Sequence, residues 1–84
     1  MSSAYGYVLE ASAAEFLLRL DEPDARHLLA NVRWLASNPH EPGADEHRDG
    51  SGRLVQAHLI GHYTVITWAD HAVRELRVVE IYPE

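Results

Sequence analysis

The spacing of apolar residues changes once along this chain, at residues 39–52. Before that segment they recur every three or four positions, as on a helix that buries one face; after it they alternate, as on a strand. Residues 5–10, YGYVLE, hold tyrosine, valine and leucine and read as a short first strand. Ser12 to Glu15 has the S-x-x-E form of a capping box, which predicts a helix over 13–20 with Phe16, Leu17 and Leu20 on one face. Asp21-Glu22-Pro23-Asp24 interrupts that helix, and proline suits the first position of a new one. Ala25, Leu28, Leu29, Val32, Leu35 and Ala36 then form one stripe while Arg26, Asn31 and Arg33 point outward, until Asn38-Pro39 ends the run. Two helices with so short a link make an antiparallel hairpin, and its apolar stripe needs a sheet to pack on.

Residues 39–52 carry two prolines, three glycines and no large apolar side chain, which predicts a long, mobile loop. His40 and His47 lie there among Glu41, Asp45, Glu46 and Asp49, but nothing rigid orients them, so no metal is expected. From Arg53 the period is two, with Val55, Ala57 and Leu59 as a core face against Gln56 and His58. Gly61 marks a tight reversal into a strand dense in β-branched and aromatic residues, and Asp70-His71 marks a second. In the last strand Leu76 and Val78 share a face with Arg74 and Glu80, while Val79 and Ile81 share the other. A strand buried on parts of both faces belongs inside a sheet. The expected architecture is α+β in the order β-α-α-β-β-β: one domain over 1–84, an antiparallel meander packed by a helical hairpin.

Composition narrows the function. Thirteen carboxylates against seven arginines and no lysine give a formal net charge of −6. Nucleic-acid binding draws affinity from cations that displace counterions at phosphates, so a tight general binder of RNA or DNA is disfavoured. The six histidines do little to change this, being mostly uncharged near neutral pH. The absence of cysteine suits a reducing cytoplasm and leaves no thiolate metal site. With no leader-like N-terminus and no long apolar run, a cytoplasmic protein that does not enter a membrane is expected.

The element order, together with the phrases FLLRLDEPDARHLLANVRWLASNP and LVQAHLIGHYTVITWAD, resembles the RelE/ParE toxin superfamily of bacterial toxin–antitoxin pairs. Members similarly run from an F-x-x-L helix through an acidic break to a long helix ending in L-x-x-N-P, then to a hairpin with a V-G-x-Y-R-V-x-Y phrase. Ile60, Gly61, Tyr63, Val65 and Ile66 stand at the matching places of that phrase. The resemblance implies the toxin of a type II module, bound by a cognate antitoxin, needing no cofactor and acting as a weak ribosome-dependent mRNA endoribonuclease. The alternatives are a ParE-like inhibitor that binds DNA gyrase without catalysis, and a degenerate member that only binds a partner protein; a homodimer is a further candidate assembly.

An RNase of this kind must take a 2′-proton, hold the charge of a phosphorane and protonate a leaving oxygen. Thr64 replaces the arginine that usually follows the hairpin tyrosine, and Ala57, His58 and Leu59 replace the arginines expected before the glycine. The chain also ends at Pro83-Glu84, without the family's terminal arginine and tyrosine phrase. His58 and His62 are the remaining candidate acid–base pair, close across the hairpin, and Arg53 and Arg77 the remaining candidate cations. Tyr63, Tyr82 and Trp34 are candidate binding residues. Each has a plainer reading: surface histidines, arginines such as Arg74 and Arg77 in cross-strand ion pairs, and aromatic residues packed against the helices.

Overall fold

The computed structural model describes residues 4–84; Met1 to Ser3, the start of the expected domain, lie outside the described residues. The elements are β1 (Gly6–Leu9), α1 (Ala11–Leu18), α2 (Glu22–Ser37), β2 (Asp45–Arg48), β3 (Leu54–Ile60), β4 (Tyr63–Asp70) and β5 (Glu75–Pro83). The five strands form one sheet in the order β1-β5-β4-β3-β2. β3, β4 and β5 are the expected antiparallel meander, but β1 pairs with β5 in parallel, so the sheet is mixed. The parallel pair follows from the topology: chain leaving β1 crosses the sheet face as the helical hairpin, and the last strand returns beside the first in the same direction.

The helices form where the pattern places them, with a different start. The N-cap of α1 is Glu10 and not Ser12, which lies inside the first turn, so the capping box does not form. The Ser12 hydroxyl instead donates to the Val79 carbonyl at 3.5 Å and ties α1 to β5. Pro23 occupies the first turn of α2 with Glu22 and Asp24 beside it, where carboxylates complement the positive end of the helix. Leu28 and Val32 are fully buried, and each stabilises the fold by roughly 1.5–3 kcal/mol. They meet Val65, Leu76, Val78 and Ile81 from the sheet.

Two features of the sheet differ from the pattern. The segment 39–52, expected as a loop, contains β2, which pairs with β3 from Asp45 opposite Ala57 to Arg48 opposite Leu54. Every residue of β2 is exposed and its side chains are polar, which suits an edge strand and hides it from a search for alternating hydrophobicity. In β5, Ile66 lies opposite Glu80 and Thr67 opposite Val78, so Val79 is the extra residue of a β-bulge. The bulge shifts the parity of the strand and puts Ile81 on the same side as Leu76 and Val78. The strand that looked two-sided in sequence is therefore one-sided, and it lies inside the sheet between β1 and β4.

The β3–β4 turn consists of Gly61 and His62 between Ile60 and Tyr63. Gly61 has φ +60° at the first central position, as a type II′ hairpin requires. That turn sets His58 opposite Val65, so His58 and Ile60 face the helices. Leu59, expected in the core face, points away and is 57% exposed.

Candidate functional site

The sheet divides the candidate residues between its two faces. Residues directly opposite across a ladder share a face, and neighbours along a strand alternate. His58 shares the helix side with fully buried Val65. Arg77 lies between core residues Leu76 and Val78 along β5, so it projects from the open side, opposite Trp68. His58 and Arg77 are thus on opposite faces and do not form one site. His62 is not beside His58 either: it lies in the turn, beyond the last strand pair.

On the helix side, a cavity of about 410 Å³ opens between the end of α2, residues 39–42 and the sheet. His58 lines it with Gln56, Thr67 and His71, and Arg53 and Trp68 border it too, so of the candidate residues the fold brings His58 and Arg53 to one cavity. Burial holds the His58 imidazole below its ordinary pKa, an effect that the Glu41 carboxylate partly offsets. A neutral imidazole can take or give a proton, but no carboxylate or second base is hydrogen-bonded to it among the described residues. The Thr67 hydroxyl is also buried without a partner among them. At the rim His40 stacks on His71 with ring centres 5.0 Å apart, and Tyr5 shares a hydrogen bond with His71 Nδ1 at 2.7 Å. Among the described residues no group of three or more His, Asp or Glu could hold a metal ion.

The two candidate arginines come together through a tryptophan. The Arg53 guanidinium lies 4.6 Å from the centre of the Trp68 ring, and Arg77 is the cross-strand neighbour of that same tryptophan. Both are neutralised. Arg53 Nε meets Asp49 at 2.9 Å, and Arg77 reaches Glu10 at 3.5 Å and Glu75 at 3.3 Å. The ion pairs of Arg77 are therefore with a helix start and with its own strand, not across the ladder. Arg74 is in no strand: it ends the β4–β5 turn at φ +56°.

The Asp49 carboxylate accepts from Ser51 Oγ and from the Ser51 and Arg53 amides. These bonds, the Ser51 hydroxyl foremost, hold it well below the usual carboxylate range. D-G-S-G-R is a turn that sequence reasoning could have found from the reach of an aspartate to amides two and four residues on. The Arg53–Trp68 and His40–His71 contacts join residues far apart in the chain, and no local spacing announces them.

The candidate binding residues are scattered. Tyr63 donates to Asp24 at 3.1 Å and meets Phe16 edge-on, bridging the sheet to both helices. Burial, followed by the Asp24 carboxylate, raises its pKa. Tyr82 is 40% exposed at the end of β5, opposite Thr64. Trp34 is 52% exposed on α2 and borders a second, smaller depression beside β3.

No family model matches the sequence, and no curated protein is similar to it in sequence. Solved structures do match. A chain of the toxin–antitoxin complex RelBE2 from Mycobacterium tuberculosis superposes with a TM-score of 0.81 at 13% identity, over 96% of this chain and 92% of that one. A chain of the archaeal RelE–RelB complex from Pyrococcus horikoshii OT3 gives 0.77 at 15% identity, over 99% and 96%. A chain of the intact Escherichia coli RelBE toxin–antitoxin complex gives 0.66 at 11% identity, over 96% and 98%. At these identities the likeness is one of architecture, and it spans nearly the whole of each chain: the protein has a RelE-like fold.

Proposed function

We propose that this protein is the toxin component of a type II toxin–antitoxin module, held inactive by a cognate antitoxin, with at most weak ribosome-dependent cleavage of mRNA. The observation that carries the reading is end-to-end superposition on chains of three RelBE complexes. The same geometry argues for weak catalysis. The two cations are each bound to carboxylates, and Arg77 projects from the opposite side of the sheet to the buried imidazole.

That division also favours a second reading, a toxin that acts by binding its target, as a gyrase inhibitor does. Binding needs a surface and tolerates separated catalytic groups. The test is expression in a bacterial host, alone and together with the small open reading frame beside the gene. Growth arrest relieved by co-expression is the expected result; unimpaired growth of the strain carrying this chain alone contradicts both readings.

A further inference from the structure

β2 pairs with β3 only between Leu54 and Ala57, so the last residues of β3 form an uncovered edge of the sheet. α2 runs past that edge, and between them is a depression of about 270 Å³. Trp34 and Leu35 wall it from the helix, Ile60 from the strand and Pro42 and Ala44 from the connecting segment, while Leu59, whose side chain turns to the other side of the sheet, borders it at the strand edge. Trp34 is 52% exposed and Leu59 57%. Single exposed apolar residues are ordinary on a protein surface, but here two large ones border the same depression. Tryptophan is also the residue most enriched among those that dominate binding energy at interfaces.

Charge indicates what fills the depression. Glu41 lines it, and Asp45 begins β2 immediately after Ala44. Among the described residues four of the thirteen carboxylates and three of the seven arginines form ion pairs, which leaves nine acids and four arginines outside them. Arg33, next to Trp34 along α2, is the local exception. Like charges facing each other across an interface are costly, and two copies of a chain with net charge −6 repel. We infer that the groove between α2 and the uncovered end of β3 receives an apolar, basic segment of the antitoxin. This rests on the toxin–antitoxin reading and goes beyond it by giving the partner's chemistry and its seat.

The test is titration of the full chain with the protein encoded by the neighbouring small open reading frame. The variants are Trp34→Ala, Leu59→Ser, the double variant Glu41→Gln/Asp45→Asn, and Leu18→Ser as a control at a site 86% exposed and outside the groove. Circular dichroism verifies that each remains folded. Trp34→Ala is expected to weaken binding about thirtyfold or more, as loss of a central interface tryptophan does. The double variant should weaken it several-fold at low salt, with the difference fading at high salt, and Leu18→Ser should leave it unchanged. Undiminished binding by both Trp34→Ala and Leu59→Ser, or tighter binding by the double variant, overturns the groove while leaving the toxin reading intact. No binding by the wild type overturns both. Self-association of the chain that Leu59→Ser abolishes gives the groove to a second copy and also overturns the inference.

Discussion

Burial of His58 ties one imidazole to the stability of the whole fold. Its folded-state pKa lies below the unfolded value, so the unfolded chain binds the proton more readily. The stability contributed by keeping this histidine neutral is complete above the unfolded pKa of about 6.5 and is lost as pH falls towards the folded value. Denaturant melts at pH 7.5 and 5.5 should show the wild type losing more stability than His58→Gln; equal losses would remove His58 as the cause. A second residue-scale effect belongs to Gly43. A Cβ there would lie 2.6 Å from the Ala57 carbonyl oxygen, which is backbone in a paired strand and cannot rotate away. Gly43→Ala is therefore expected to cost about 1–3 kcal/mol, in the range for overpacked sites. An unchanged urea midpoint would show that residues 41–44 simply shift.

At the scale of elements, the helical hairpin and the meander were legible because their signals are local. The stripe from Leu28 to Ala36 has helical spacing, and Gly61 marks its turn. Leu28→Ala should cost about 2–5 kcal/mol in thermal or urea denaturation, since the side chain is fully buried between α2 and the sheet. What stayed illegible depends on partners. β2 is a strand only because β3 offers it a ladder; its own residues, DEHR, carry no alternation. The bulge at Val79 reverses the facing of Ile81, and periodicity counted from Leu76 cannot anticipate it. The candidate site was only partly legible in sequence for the same reason: the turn register decides that His58 turns inward, while Arg77 projects from the other side of the sheet. β2 is short, exposed and unpaired on its outer side, so it should open without global unfolding. Amide hydrogen exchange should be markedly faster at Asp45 to Arg48 than in β4, which is paired on both sides; equal protection would contradict this.

On the toxin reading proposed above, the net charge of −6 and the distribution of the few cations set what cleavage is expected at the scale of the molecule. Messenger RNA approaches as a polyanion, and an acidic surface repels it before any chemistry begins. A phosphorane-like transition state adds charge that preorganised cations must hold, and loss of one such donor typically costs about a hundredfold or more in rate. The position after the hairpin tyrosine is Thr64, and Arg53 and Arg77 are each engaged by carboxylates. Cleavage in a ribosome-programmed assay is therefore expected to be at least about a hundredfold below that of a basic RelE-type toxin. Whatever cleavage remains is expected to depend on groups that reach solvent on the open side or at the turn, where Arg77 and His62 lie, more than on the enclosed His58. Arg77→Ala and His62→Ala should each lower the residual rate, and His58→Gln should change it least. Robust wild-type cutting would contradict the argument from charge. A loss confined to His58→Gln would show instead that RNA reaches the helix-side cavity, and that the two faces of the sheet have been assigned the wrong tasks.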